Sequence, residues 1–204
     1  MQENEVINIL QNQFNYSSKS IFNLKIFVDE LLKANKKHNF ISKSTENVIW
    51  HRHILDSAQL VKFINFSKGS LSDFGSGAGF PGIILAIFNE NKGFHVKLYE
   101  KSPVKRIFLT NISGKLSLDV KVKGNIYDEI LDSDYIVSRA FKKIETLIQV
   151  SREIVKKSHK LIVLKGQNAQ EELKKAFKKE KYAYKLEDSI TNEKSKIIIV
   201  DFKK

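Results

Sequence analysis

The sequence predicts an α/β protein with a doubly wound, mostly parallel sheet, and three observations lead to that fold class. From residue 70 onward, short apolar runs of strand length alternate with longer amphipathic segments, as in parallel βαβ units. A glycine-rich stretch, residues 73–82, follows the first run, where doubly wound proteins place a ligand-binding turn. The last two runs, 182–186 and 196–202, leave no room for a helix between them. They are therefore expected to pair as an antiparallel hairpin at the sheet edge.

The first 66 residues are expected to form an N-terminal helical extension. Ile21, Leu24, Val28 and Leu31 recur at the spacing of one helical face, and Ser18 or Ser20 could cap this helix. A second helix is predicted over about 46–64. Because a composition change near 66–69 carries no Pro- or Gly-rich linker, we expect residues 1–66 to be a helical cap packed on a main domain, 67–204.

The remaining elements follow in order along the main domain. Strands are predicted at 71–74, 95–100, 120–123, 135–138 and 160–165, and helices at 81–88, 104–116, 143–157 and 169–179.

Composition excludes several classes of protein. The 204 residues are 42% hydrophobic and 28% charged, a normal globular balance. The chain has no cysteine, which excludes disulfide scaffolds, Cys-ligated zinc and thiol catalysis. The longest apolar run, 83–88, is far shorter than the ~20 residues of a membrane-spanning helix. The N-terminus shows no secretory signal, so a cytoplasmic protein with no membrane partner is expected.

The charge balance favours a polyanionic partner. The formal net charge is +12, and residues 151–204 alone carry 15 basic and eight acidic residues. Such an excess favours binding to nucleic acid through phosphate contacts, although a merely soluble surface would have the same composition.

Two ligand classes compete for the glycine-rich stretch. Gly77, Gly79 and Gly82 satisfy the G-x-G-x-x-G dinucleotide fingerprint, and Glu100 ends the next strand where a ribose-binding acid belongs. Gly75, Gly77 and Gly79 equally satisfy the G-x-G-x-G spacing typical of S-adenosylmethionine sites. The antiparallel hairpin at the end of the chain favours the second class. An oxidoreductase that binds a nicotinamide dinucleotide remains the alternative.

A histidine-rich segment could suggest a metal site, but its spacing does not favour one. His51 and His53 are two residues apart and face different sides of a helix, so no metal is expected. His53 and Asp56 are three apart and share a face. We expect them to form an orienting hydrogen-bonded pair near the substrate.

Five segments occur in one order along the chain: HILDS (53–57), DFGSGAGFPG (73–82), KRIFL (105–109), VSRAF (137–141) and LKGQ (164–167). Together they resemble the bacterial small-subunit ribosomal RNA guanine-N7 methyltransferase family, also called glucose-inhibited division protein B. The resemblance covers nearly the whole chain. It implies a Rossmann-like class I methyltransferase fold, S-adenosyl-L-methionine as cofactor, and methyl transfer to N7 of a specific guanine in 16S ribosomal RNA.

The resemblance also implies partners and leaves alternatives. Free 16S ribosomal RNA or the small ribosomal subunit would be the partner, and a monomer is expected. Another RNA or small-molecule methyltransferase on the same fold, or a non-catalytic RNA-binding module, would share many of these features.

Matching segments carry the family's donor site onto this chain. The implied cofactor-binding residues are Gly75, Gly77, Phe80, Glu100, Ile126, Tyr127 and Arg139. Glu100 would bind the ribose hydroxyls. Ile126 and Tyr127, placed by counting back from Arg139, would lie around the adenine, and Tyr127, where the family often has an acid, would contact it through the backbone. Phe80 could instead be a core aromatic, and Arg139 could instead pair with Asp56 or Asp134.

The expected chemistry needs no general base. Guanine N7 already presents a lone pair in the plane of the ring. His53, Asp56 and Arg139 are therefore candidates for orientation only. Lys105, Arg106 and Lys165 are candidates for RNA contact.

Overall fold

The computed structural model describes residues 1–139, 142–177 and 183–204, and the described chain forms a seven-stranded sheet around which the helices pack. The strand order is β3-β2-β1-β4-β5-β7-β6. Strands β1 to β5 are parallel, whereas β7 runs antiparallel to both β5 and β6. The predicted fold class, including the antiparallel hairpin at the edge, is confirmed. The strands are β1 Gly69–Phe74, β2 Phe94–Tyr99, β3 Val120–Lys123, β4 Tyr135–Arg139, β5 His159–Lys165, β6 Tyr184–Asp188 and β7 Lys196–Phe202.

The helices connect the parallel strands and form the N-terminal region. They are α1 Glu3–Phe14, α2 Ser18–His38, α3 Lys43–Glu46, α4 Asp56–Ala58, α5 Gly82–Phe88, α6 Pro103–Lys115, α7 Ile144–Ile154 and α8 Ala169–Ala176. The expected end of α8 at 179, the expected start of β6 at 182, and residues 140–141 of the VSRAF segment lie outside the described residues.

The strand order reverses direction at β1. This strand pairs with β2 on one side and with β4 on the other, so the chain crosses to the opposite half of the sheet before β4. A crevice opens at such a switch point outside the carboxyl ends of the strands, which is where ligands bind in doubly wound sheets. The ends of β1, β2 and β4 therefore locate the site.

Helices cover both faces of the sheet with apolar side chains. Leu10 of α1 and Phe27 of α2 belong to the same buried cluster as Ile83 and Leu98, so the N-terminal helices pack directly on one face. Helices α7 and α8 cover the other face with a second cluster. The division of the chain at 66/67 stays a prediction, since the two parts share one core.

The N-terminal helices differ from the sequence prediction in two respects. The N-cap of α2 is Ser17, whose hydroxyl accepts a hydrogen bond from the Ser20 amide at 3.0 Å, so neither predicted cap was right. The helix predicted over 46–64 is broken, because α3 ends at Glu46 and helical structure resumes with a π-helical segment, Trp50–Leu55. A 3₁₀ turn, Gln59–Phe63, follows α4. Short π-helical segments occur frequently at functional sites.

Candidate functional site

The glycine-rich loop follows β1 in a tight backbone turn. Gly75, Gly77 and Gly79 have φ values of +77°, +57° and +104°, a region that other residues rarely adopt. The amides of Gly75 and Ser76 both donate to the Tyr99 carbonyl at 3.0 Å. The loop is thereby fixed to the end of β2.

The glycines of this loop serve different purposes. A Cβ atom at Gly82 would lie 2.3 Å from Leu98 Cδ2, and one at Gly79 would lie 2.8 Å from Ile83 Cγ1. At Gly77 the nearest atom to such a Cβ is the Gly75 carbonyl oxygen at 3.9 Å. Gly79 and Gly82 are thus required by close packing, whereas Gly77 borders open space.

The open space beside Gly77 belongs to a cavity of about 310 Å³, here called the glycine-loop cavity. Its volume lies within the range of small-molecule sites, about 300–1,000 Å³. Glu100 Oε2 accepts a hydrogen bond from the Gly77 amide, and Oε1 accepts one from the Ser102 amide, both at 2.8 Å. A carboxylate has about four acceptor positions, so Glu100 retains the capacity to bind hydroxyl groups. The lining residues are Gly75, Gly77, Tyr99, Glu100, Lys101, Lys105, Gly124, Ile126 and Arg139.

Two predicted donor contacts have side chains outside this cavity's lining. Tyr127 is 45% exposed, and its hydroxyl accepts a hydrogen bond from Lys142 Nζ at 3.0 Å. Phe80 is buried, and its ring packs edge-on against Phe27 with centroids 5.4 Å apart. Their contacts with a donor stay predictions, and contact through the backbone would satisfy them.

A second cavity, of about 490 Å³, lies next to the first and is here called the hairpin cavity. It is lined by Ser42, Thr45, Arg52, His53, Asp56, Arg139, Leu164, Lys165, Gly166 and Ser195. Arg139 lines both cavities. The two cavities therefore meet at the end of β4.

Arg139 is held by contacts on several sides. Its Nη2 donates to His53 Nδ1 at 2.7 Å, and its Nη1 lies 3.3 Å from the Arg52 carbonyl oxygen and 3.6 Å from Asp56 Oδ2. The guanidinium carbon lies 4.9 Å from the centre of the Phe80 ring. Burial lowers the pKa of Arg139 and the Asp56 carboxylate opposes this shift, so the side chain remains a cation.

Of the two ion-pair partners that the sequence left open for Arg139, the structure selects Asp56. Asp134 precedes β4, at the opposite end of the strand, where it pairs with Lys157 at 2.8 Å and accepts a hydrogen bond from the Ser70 amide.

His53 is a neutral side chain whose two nitrogens are both engaged. Because Arg139 can only donate, His53 Nδ1 must accept, and the ring proton on Nε2 then points to Thr45 Oγ1 at 3.0 Å. Burial, with the nearby positive charges of Arg139 and Arg52, lowers the pKa of His53 to about 3. Its ring stacks on Phe80 with centroids 4.9 Å apart.

The side chains of His53 and Asp56 are not hydrogen-bonded to each other as the sequence predicted. Both side chains contact the Arg139 guanidinium, one through Nη2 and the other through Nη1. The i, i+3 rule assumes an α-helix, whereas His53 lies in a π-helical segment with wider turns.

Asp73, at the end of β1, is a buried acid beneath the glycine-rich loop. Its Oδ2 accepts a hydrogen bond from the Gly82 amide at 3.0 Å. Loss of hydration on burial raises the pKa of Asp73 to about 7, although the Gly82 amide favours the ionised form. In the sequence, Asp73 has no signal of its own beyond its place at the start of the DFGSGAGFPG segment.

The side chains of the three candidates for RNA contact differ in the contacts that they make within the protein. Lys105 lines the glycine-loop cavity. Arg106 Nη1 donates to the carbonyl oxygens of Glu100 and Lys101, which fixes the turn before α6. Lys165 Nζ, on a side chain that is 12% exposed, binds Glu172 Oε2 at 2.9 Å. Phosphate contact by these residues stays a prediction.

Across residues 1–139, 142–177 and 183–204, no helix is long and apolar enough to cross a membrane. Within the same ranges, no group of three or more His, Asp or Glu side chains is arranged to hold a metal ion.

The sequence matches proteins of one family along most of its length. A family model described as "GidB: rRNA small subunit methyltransferase G" matches residues 20–198. The protein named ribosomal RNA small subunit methyltransferase G from Pelagibacter ubique is 36% identical over 193 residues, covering 92% of this chain and 90% of the relative. The protein of that name from Rickettsia akari is 35% identical over 185 residues, covering 90% and 95%.

Solved structures show a similar fold at low sequence identity. A SAM-dependent methyltransferase from Aquifex aeolicus superposes with a TM-score of 0.57 at 13% identity, covering 78% of this chain and 94% of that chain. The structure of TYW2 from M. jannaschii in complex with AdoMet superposes with a TM-score of 0.54 at 19% identity, covering 73% and 74%.

Proposed function

This chain belongs to the GidB family, rRNA small subunit methyltransferase G, and from that premise we propose that it transfers a methyl group from S-adenosyl-L-methionine to N7 of a guanine in 16S ribosomal RNA. Family membership makes it an S-adenosylmethionine-dependent methyltransferase of small-subunit rRNA and replaces the nicotinamide-dinucleotide alternative. The choice of N7 rests on the resemblance of the five segments. The observation that carries the proposal is that two cavities share one side chain, Arg139.

The glycine-loop cavity fits the methyl donor. A ligand can approach the backbone closely at Gly77, and Glu100 has acceptor positions to spare for ribose hydroxyls. Ile126 offers an apolar surface for a purine ring. When bound, S-adenosylmethionine supplies an electrophilic methyl group.

The hairpin cavity would receive the guanine base. Its polar wall, formed by Thr45, Asp56 and Ser195, can hydrogen-bond a base edge. The ring becomes cationic on N7-methylation, and a fixed carboxylate such as Asp56 favours that charge in a site of limited hydration. Asp56 is therefore assigned to charge stabilisation and orientation.

No residue of the hairpin cavity needs to remove a proton. His53 is neutral, and the lone pair on its Nδ1 already accepts a hydrogen bond from Arg139. Holding two reactants in line can contribute ~7–11 kcal/mol in favourable cases. We therefore assign the catalytic effect mainly to positioning, with Arg139 fixing the boundary between donor and base.

The excess of basic residues supports a polyanionic substrate. If residues 151–204 contact phosphates, RNA affinity falls with salt at a log–log slope of about −0.7 per single-strand phosphate neutralised. A flat salt dependence would mean that these charges only solubilise the protein. Since ribosomal RNA is the substrate, we place the protein in the cytoplasm.

The deciding experiment uses 16S ribosomal RNA, free or in small subunits, from cells that lack this protein. The purified protein and S-adenosylmethionine are expected to produce one new N7-methylguanine, mapped by chemical cleavage at that base. Gly77→Val protein is the matched negative control. Methylation at another atom, or on neither substrate, would contradict the proposal.

A further inference from the structure

The turn of the C-terminal hairpin reaches the Arg139 site through hydrogen bonds. Thr191 Oγ1 donates to Asp56 Oδ1 at 2.8 Å across 135 positions of sequence. Gln59 Nε2, one helical turn after Asp56, donates to the same oxygen at 3.1 Å. Asp56 and Gln59 are buried, and Thr191 is partly buried.

The direction of each hydrogen bond in this network follows from its members. Since the Thr191 hydroxyl proton goes to the carboxylate, Ser189 Oγ must donate to Thr191 Oγ1, 2.9 Å away. Ser189 Oγ in turn accepts from Gln59 Nε2 at 3.0 Å, and Gln59 Oε1 accepts from the Ile190 amide at 3.0 Å. Gln59 Nε2 also lies 3.0 Å from the Asp56 carbonyl oxygen, and the donor order of the two hydroxyls is from Ser189 to Thr191 to Asp56.

This arrangement decides which carboxylate oxygen faces the guanidinium. Asp56 Oδ1 receives both Thr191 and Gln59, which leaves Oδ2 directed at Arg139 Nη1. Without the hydroxyl of Thr191, only Gln59 holds Oδ1, and the carboxylate is freer to rotate away from the guanidinium. Small displacements of positioning groups reduce rates strongly even when binding persists.

We propose that Thr191 is a positioning residue for methyl transfer, acting through Asp56 on Arg139. This proposal rests on the proposed function, because Thr191 can act through Arg139 only if Arg139 contributes to the rate. Through Thr191, the hairpin turn controls the placement of the guanidinium between the two cavities.

The test is a double-mutant cycle on the single-turnover rate, with RNA and donor saturating. We expect Thr191→Val to lower the rate about tenfold and Thr191→Ser, which keeps the hydroxyl, to restore it to within twofold. The affinity for S-adenosylhomocysteine and the KM for RNA should stay within twofold. Thr110→Val, an exposed site on α6, is the control for removing a threonine hydroxyl.

The background variant is Arg139→Lys, which keeps the charge and loses the planar fork. It should itself lower the rate at least tenfold. In that background, Thr191→Val should cost less than a further twofold, because its target is already removed. Thr191→Ala, which also removes the hydroxyl, replaces Thr191→Val if that variant fails to fold.

The two proposals fail in different ways. An equal loss of rate from Thr191→Val in both backgrounds would show a merely structural role and overturn the positioning proposal alone. A wild-type rate for Arg139→Lys would overturn the role of Arg139 in the proposed function, and the positioning proposal with it.

Discussion

The glycine-loop cavity and the hairpin cavity share Arg139, yet they are assembled in different ways. The glycine-loop cavity is lined by segments that directly follow β1, β2 and β3, so short stretches of sequence build most of it. The hairpin cavity combines a π-helical segment, the ends of β4 and β5, and the turn before β7. Its decisive contacts join residues far apart, such as His53 with Arg139, which are 86 positions apart.

This difference determines how each cavity can bind. In the glycine-rich loop, positive φ values and the missing side chain at Gly77 leave open space in which a ligand can approach the backbone closely. In the hairpin cavity, a network of side chains fixes a cation between a neutral histidine and a carboxylate. Substitutions should therefore abolish binding in the first cavity and reduce the rate in the second.

The largest expected effect is on the first cavity. Gly77→Val should lower the affinity for S-adenosylhomocysteine at least 100-fold, because the side chain would enter the open space beside the loop. The positive φ adds strain of about 1–2 kcal/mol, which a folded domain tolerates. Isothermal titration measures the affinity, and circular dichroism establishes that the variant is folded.

Gly82→Ala is the matched substitution at a packed glycine. Its Cβ would meet Leu98 Cδ2 at 2.3 Å, so the unfolding temperature should fall. A folded Gly77→Val protein with wild-type affinity would remove the loop from the donor site.

A smaller effect is expected in the second cavity. His53→Ala should lower the single-turnover rate about tenfold, since a lost hydrogen bond to a charged group costs about 1.5 kcal/mol. Because the pKa of His53 is about 3, the residue stays neutral over pH ~6–9, and the wild-type and variant rates should both be independent of pH there. Rates are measured with RNA and donor saturating at each pH.

A sigmoidal wild-type profile that disappears in His53→Ala would contradict this account, because it would identify His53 as a proton acceptor. Loss of RNA binding without loss of rate would assign His53 to recognition instead.

The last prediction concerns the pH dependence of stability, on which Asp73 beneath the glycine-rich loop and His53 in the hairpin cavity act with opposite sign. The pKa of Asp73 is raised from 3.8 to about 7, so the folded protein holds an extra proton between these values. The contribution of Asp73 to the free energy of unfolding therefore decreases as the pH rises from about 4 to 7, and is constant above that. His53 has a lowered pKa, and its contribution is instead lost as the pH falls below about 6.5.

Asp73→Asn removes only the first of these titrations. The stability of the wild type minus that of the variant should fall by about 3 kcal/mol between pH 5 and pH 8. Urea unfolding at both pH values measures this difference, in which the titration of His53 cancels. Parallel pH profiles would show that Asp73 ionises in the folded protein as readily as in the unfolded chain.

Most of the sheet could be predicted from the sequence, since strands and helices of the main domain depend on local patterns of apolar residues. Strands β3 and β7 have the predicted bounds, and β1, β2, β4 and β5 differ by one or two residues. The N-terminal region was predicted less well. Periodicity alone does not distinguish a regular α-helix from the succession of π-helical, α-helical and 3₁₀ turns at 50–63.

The sequence by itself determined the fold class and the glycine-rich loop, and it predicted Glu100 and Arg139 as site residues, because each depends on neighbouring residues or on a family segment. Only the tertiary structure decided that Asp56, and not Asp134, faces Arg139, that His53 accepts its hydrogen bond, and that Thr191 completes the network. These contacts depend on how the N-terminal helices and the final hairpin pack against the ends of β4 and β5. No local pattern records that packing, since the residues that meet there are separated by 83 to 135 positions and become neighbours only when the common core is buried.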